Sequence, residues 1–204
     1  ILDLPLTTIE NDALIRNYRA EGLLVYMKDV TFDAAGNPVI LFITSRGNLP
    51  SPQNDPRTWT TARWTGDAWV FQPVTTSDSN YDMGPLYVEG DSGENAEWRI
   101  IGPTQPGTFA YNPGGEIAVW TSTDQGATWQ MSRQLTTNSP LNHTFVRRPV
   151  NAHPDFYALW ADGNPRQPAP SHLYFTNRAG DTVWQLPPFM DSDFATPELV
   201  KRAA

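Results

Sequence analysis

A chain of 204 residues with 39% hydrophobic and 18% charged residues is long enough to bury a real core and too apolar to be disordered. Its net charge of −8 argues against a nucleic-acid partner and against general attraction to anionic membranes, because both need a basic surface; an acidic ligand has to be held by a local cation cluster. The lack of cysteine excludes a disulfide framework, a thiolate nucleophile and any Cys-ligated metal, but leaves the compartment open.

The N-terminal stretch Ile1 to Thr8 has neither the positive region nor the apolar run of a signal peptide, and the chain does not start on methionine. It reads as beginning partway through a longer protein. No apolar run approaches the roughly 20 residues needed to span a bilayer. Ile9 to Arg19 has helical spacing, which predicts one short helix inside a lead-in over residues 1–22. From there on the signals are those of strands and turns, in keeping with 19 Pro and 14 Gly.

A first repeat runs from Val25 to Phe32, turns at Asp33 to Asn37, returns over Pro38 to Ser45, and closes with Ala62 to Thr65, a turn, and a strand opening on Trp69. A second has Pro85 to Val88, a looser turn, Glu97 to Gly102, then Ala118 to Thr121 and a strand opening on Trp129. A third has Phe145 to Val150, the turn His153-Pro154-Asp155, Phe156 to Ala161, then Leu173 to Thr176 and a strand opening on Trp184. The three tryptophans recur at intervals of about 55–60 residues, the length of a large propeller blade. Each repeat reads as four strands joined by hairpins, so the fold class is all-β, with three β-propeller blades over about 23–76, 82–137 and 143–188 and a tail over 191–204. Propellers typically have at least four blades, so three leave an open edge that a second chain or further blades would complete.

Ser122-Thr123-Asp124-Gln125-Gly126-Ala127-Thr128-Trp129 matches the Asp-box pattern S-x-D-x-G-x-T-W. The chemistry is local. Asp accepts backbone N–H groups across the hairpin, Gly takes the positive φ, and Trp packs beneath. Asp124 therefore reads as a turn staple rather than a catalytic acid. The third repeat has a decayed copy over Asn177 to Trp184, with Arg178 in place of the Asp.

Together with Asn80-Tyr81-Asp82-Met83-Gly84, Trp98-Arg99-Ile100-Ile101, Gly114-Gly115-Glu116 and the run Asn142 to Pro149, this motif resembles the bacterial-neuraminidase-repeat propellers of polysaccharide utilisation. That group includes ulvan lyases and rhamnose–glucuronate-cleaving enzymes. The resemblance covers about Val25 to Pro187 and implies a seven-bladed propeller roughly twice this length. It further implies a catalytic Tyr and Arg on neighbouring strands, matched by Tyr81 and Arg99, joined by histidines that lie upstream of the tyrosine. Upstream of His143 this chain has none. An arginine fork would neutralise a uronate carboxylate, and a Tyr or His would move the proton in eliminative cleavage. That chemistry requires no cofactor. Because some members carry a metal, a structural calcium or zinc is compatible with the resemblance.

Residue by residue, bland readings stand beside these. Tyr81 is either a core aromatic or, given its polar flanks Asn80 and Asp82, an exposed one. Arg99 alternates with Trp98 and Ile100, so it faces either a polar channel or solvent. Arg147 and Arg148 cannot share a face; one is available for an acidic sugar while the other pairs with a carboxylate such as Glu116 or Asp155. Lys28-Asp29 holds the equivalent place in the first repeat and is open to the same internal pairing. His143 and His153 flank one strand and its turn, as cleft residues, metal ligands or hydrogen-bonded structural histidines, the last being the commoner use. His172 reads as exposed. The chain carries no G-x-S-x-G elbow, P-loop or dinucleotide fingerprint, and it lacks the Arg-Ile-Pro opening of a sialidase.

The functional expectation is a secreted or periplasmic bacterial propeller acting on uronate-containing polysaccharide by elimination or hydrolysis. Tyr81, Arg99 and His143 are the catalytic candidates, and Lys28, Asn80, Asp82, Glu116, Arg147, Arg148 and His153 the binding ones. The alternative is a carbohydrate-binding or interaction module without turnover. An acidic poly- or oligosaccharide is the expected partner, with no nucleic acid and no membrane.

Overall fold

The computed structural model describes residues 7–11, 13–90 and 97–202. Three antiparallel sheets follow one another along the chain. The first is β1 (Leu24–Phe32), β2 (Pro38–Ser45), β3 (Arg57–Trp64) and β4 (Trp69–Ser77), hydrogen-bonded in that order. The second is β5 (Leu86–Glu89), β6 (Glu97–Gln105), β7 (Glu116–Ser122) and β8 (Gln130–Gln134). The third holds β9 (Asn142–Arg147), β10 (Ala158–Gly163), β11 (Leu173–Thr176), β12 (Thr182–Gln185) and β13 (Glu198–Arg202). The all-β reading and its three blades hold. The looser turn expected after Val88 falls largely on residues 91–96, outside the described ones.

Three details differ from the sequence reading. Ile9 to Arg19 forms turns rather than a helix, apart from residue 12, which lies outside the described ones. Tyr18 instead packs edge-on against Phe42 and Phe71, on the face of the first sheet that points away from the second. The segment expected as a tail includes β13, which pairs with β12 as a fifth strand. The first strand of the third blade starts at Asn142 rather than Phe145, because His143 exchanges both backbone hydrogen bonds with Gly115 and anchors it earlier, while Pro149 cannot donate to a ladder.

Period-two alternation on β6 sets the packing. Trp98 and Ile100 face the first sheet, in a core with Val39, Leu41, Ile43, Trp59 and Leu86. Ile101 faces the third sheet, in a core with Ile117, Val146, Tyr157 and Trp160. Gly102 lets the sheets close up, since a Cβ there would stand 3.0 Å from the Trp59 ring. At the β7–β8 turn Asp124 accepts from Thr128 N at 2.8 Å and Thr128 Oγ1 at 2.6 Å, which makes it a staple as expected. These hydrogen bonds hold its pKa below the usual carboxylate value.

Because every sheet is a meander, its connections alternate between two ends. The β1–β2, β3–β4, β7–β8, β9–β10 and β11–β12 turns gather at one end. The β2–β3, β6–β7 and β10–β11 loops gather at the other, with the β4–β5 and β8–β9 connectors that pass from sheet to sheet. The candidate site lies at this second, loop end.

Candidate functional site

Three segments converge at the loop end where the first strands of the sheets lie side by side: β1, the β4–β5 connector, and β9. Lys28 is the extra residue of a bulge in β1, where Met27 pairs with Phe42 and Asp29 already pairs with Leu41. A bulge re-aims the side chain it carries. Here it sends the Lys28 Nζ across to the connector, where it donates to the Asn80 carbonyl at 2.6 Å. Burial pushes this ammonium down to about 8; Asp82 opposes the shift and Arg147 adds to it.

Tyr81, next along the connector, is 56% exposed and meets Tyr26 edge-on at 5.7 Å. Together with Asn80 it borders a cleft of about 230 Å³ between the first two sheets, closed on the far side by Tyr111 and Pro113. The Arg57 guanidinium forms a wall of this cleft, held by Asp55 and by the carbonyls of Leu49 and Ser51 at 3.0 and 3.2 Å. Two polar atoms at this cleft, Asn80 Oδ1 and Arg57 Nε, are buried without a hydrogen-bond partner among the described residues. Such atoms are costly unless a ligand or water satisfies them.

The neighbouring arginines at the end of β9 divide their work. Arg148 donates to the Leu86 carbonyl at 2.7 Å and lies 3.8 Å from Asp29, which also accepts the Leu86 N–H at 2.8 Å and the Val30 N–H at 2.9 Å. The pair clamps Leu86 by both of its backbone groups, so Arg148 and Asp29 are structural. Arg147 has no hydrogen bond or ion pair among the described residues and lies 5.4 Å from the ring centre of Phe145. Phe145 itself is 53% exposed at φ +56°, in a second bulge where Thr144 pairs with Ala161 and Arg147 with Leu159. A φ of that sign is uncommon for a bulky side chain and marks the strand as locally strained.

The other expected site residues go elsewhere. Arg99 pairs with Tyr87 on β5, while Gly84, which Tyr81 precedes, lies against Ile101 and Gly102. More than about 10 Å of strand therefore separates Arg99 from Tyr81. Arg99 belongs to the opposite end, where it bonds Glu97 at 2.9 Å, Glu89 at 3.3 Å and the Tyr157 hydroxyl at 3.3 Å. The Tyr81–Arg99 pairing implied by the resemblance is not made. Asp82 lies beside the site but is wholly buried, accepting from Gly114 N at 2.7 Å, and burial raises its pKa to about 8. It supports the connector and is closed to a ligand.

His143 is also committed. Its Nδ1 accepts the Trp160 indole N–H at 3.0 Å, and its Nε2 lies 3.0 Å from Ser139 Oγ. Indole only donates, so the ring proton sits on Nε2 and goes to Ser139. Ser139 in turn donates its Oγ–H and its backbone N–H to Glu116 at 2.9 and 2.7 Å, which leaves Glu116 as a loop staple. Burial lowers the His143 pKa and keeps it neutral. His153 sits in the β9–β10 turn at the far end, beside Asp155. Both His143 nitrogens are thus occupied, and no group of three or more His, Asp or Glu that could hold a metal ion occurs among the described residues.

Sequence reading missed Tyr26, Arg57, Tyr111 and Phe145. Each comes to the site through contacts distant in sequence, and a bulge has no single-sequence signature, so no local signal marks them.

No family model matches the chain, and no curated protein matches it. Among solved structures it is similar to an ulvan lyase from a new family of polysaccharide lyases, with a TM-score of 0.56 at 17% identity, covering 77% of this chain and 33% of that one. A second structure of such a lyase, bound to an oligosaccharide of glucuronate and sulfated rhamnose, gives a TM-score of 0.53 at 16% identity with the same coverage. The chain spans about a third of the length of these lyases. At this identity the likeness concerns the fold: three antiparallel sheets that resemble part of the ulvan lyase propeller.

Proposed function

We propose that this chain is the carbohydrate-engaging part of a propeller that acts on a uronate-containing polysaccharide, at the loop end between the first and second blades. The observation that carries this reading is the cleft itself. The Tyr81 and Tyr111 rings line it, the Arg57 guanidinium stands in its wall, and Lys28 donates to the backbone of Asn80, another of its lining residues. Aromatic faces match the apolar side of a pyranose ring. Lys28 and Arg147 supply the local positive charge that a net acidic protein needs to hold a carboxylate.

Elimination suits this set better than hydrolysis. With Arg147 against the carboxylate, the C5–H of the uronate becomes acidic. Lys28, at about 8, has a neutral fraction near neutral pH that can take that proton. The C–H electrons form the C4–C5 double bond, the C4–O bond breaks, and Tyr81 protonates the departing oxygen. A hydrolytic mechanism needs two reachable carboxyl groups; among the lining residues only Asp78 carries one, which accepts the Tyr111 N–H at 2.8 Å, and Asp82 is sealed. A polymer of this kind is met outside the cytoplasm, so export belongs to the same proposal.

A second reading, binding without turnover, draws on one observation: His143, the histidine candidate for catalysis, has both ring nitrogens engaged. Incubation with glucuronate-containing polysaccharide separates the two. Growth of ultraviolet absorbance from an unsaturated uronate, lost in Lys28→Met and Tyr81→Phe, supports elimination. Retention on the polymer with no absorbance change supports binding alone. No retention at all overturns both.

A further inference from the structure

A second, larger cleft of about 480 Å³ opens at the loop end between the second and third blades, and none of the residues discussed above for the polysaccharide lines it except His143, in its floor. Its wall on the third blade is built around Asp162 at the end of β10. That carboxylate is 7% exposed and accepts three hydrogen bonds: the His172 backbone N–H at 2.7 Å, the Tyr174 hydroxyl at 2.8 Å, and His172 Nδ1 at 3.3 Å. An ionised carboxylate only accepts, so His172 carries its proton on Nδ1 and leaves the Nε2 lone pair free. The His172 ring is about one-third exposed and borders the cleft. The Asp162–Tyr174 bond similarly leaves the Tyr174 oxygen with acceptor capacity.

From β13, Lys201 lines the same cleft. Its Nζ donates to the Gln134 carbonyl at 2.8 Å and forms no ion pair among the described residues. The carboxylates at this end, Glu116 and Asp162, accept instead from Ser139 and from His172 with Tyr174. Leu141, Val200 and the Tyr174 ring supply apolar surface in the same cleft. The volume lies within the range of small-ligand sites.

We propose that this cleft is a second binding site, for a monomeric sugar acid: Lys201 holds the carboxylate, and His172 Nε2 accepts a ring hydroxyl. The Asp162 carboxylate is a positioning group that fixes the imidazole tautomer. This site is independent of the polysaccharide reading, since it shares no ligand-facing residue with the cleft at Tyr81.

The test uses the full chain with free glucuronate, and glucose as the neutral control, followed by calorimetry and by NMR of the ¹⁵N-labelled histidines. Without ligand, His172 is expected as the Nδ1–H tautomer, and Asp162→Asn is expected to abolish that preference. Glucuronate is expected to shift the His172 signals and to bind at least tenfold tighter than glucose. Lys201→Met and His172→Phe, each with an unchanged melting temperature, are expected to weaken binding at least tenfold, while Tyr81→Phe leaves it intact. An Nε2–H tautomer, no His172 shift at millimolar glucuronate, or equal affinity in Lys201→Met overturns the proposal. If glucuronate binding is lost in Tyr81→Phe and kept in Lys201→Met, the polysaccharide cleft is the site and this one is refuted.

Discussion

Trp160 donates its indole N–H to Nδ1 of His143 at 3.0 Å, deep between the second and third blades, and this one contact decides what the histidine can do. With Nδ1 filled and Nε2–H pointed at Ser139, the ring has no lone pair to take a proton from a substrate. Trp160→Phe keeps the aromatic volume and removes the donor. It is expected to destabilise the fold by about 1–3 kcal/mol, the cost of an orphaned buried acceptor, read from the urea midpoint. His143→Gln is expected to leave polysaccharide turnover or retention at the wild-type level. Its loss at unchanged stability would put His143 into the chemistry.

Asp82 makes stability depend on pH in an unusual direction. Its carboxyl rises from an ordinary value of 3.8 to about 8 on folding, chiefly through burial. The folded chain therefore binds this proton more tightly than the unfolded one. The contribution is fully present below about pH 4 and is lost as pH rises through about 8. Lys28 acts in the opposite sense above that window, since its cost relaxes between about 8 and 10.5. Thermal melts of the wild type should fall from about pH 5 to about pH 8, and Asp82→Asn should flatten that slope. An unchanged slope in the variant would mean that Asp82 is ionised in the folded protein.

Adjacent arginines should separate cleanly. Arg148→Ala frees both the Leu86 carbonyl and Asp29 and is expected to cost about 1–3 kcal/mol of stability. Arg147→Ala should change stability by less than about 0.5 kcal/mol, as an exposed side chain without a polar partner. It should nonetheless reduce retention on an acidic polysaccharide and flatten its salt dependence, measured by affinity electrophoresis across a salt series. Equal retention by both variants would remove Arg147 from the site.

Gly126 is required twice over in the β7–β8 turn. Its φ of +81° favours glycine, and a Cβ would stand 2.7 Å from the Trp98 ring, which belongs to the core between the first two sheets. Gly126→Ala is expected to destabilise by about 1–3 kcal/mol, more than the conformational term alone. A loss below about 0.5 kcal/mol would show that the turn and Trp98 move apart freely.

Strands and turns were legible because their causes are local. Alternation along Pro38 to Ser45 and along β6, and the Asp124 turn with its glycine, require only neighbouring residues, so three blades could be read from one sequence. The same locality explains the failures near residue 15 and residue 145. Helical spacing at Ile9 to Arg19 reflects a segment whose Tyr18 packs on a sheet face, and the start of β9 was displaced by a pairing with Gly115.

What the tertiary structure alone decided is which polar residues meet. Lys28 reaches Asn80 across 52 positions, through a bulge that alternation does not foretell. Tyr81 and Arg99 are much closer in sequence, yet the antiparallel register of β5 and β6 carries them to opposite ends of one sheet. The sequence by itself determined the elements and their repeat, because propensity and turn chemistry act over a few residues. The sites were left to register, bulges and blade packing, which are set by contacts dozens of residues apart.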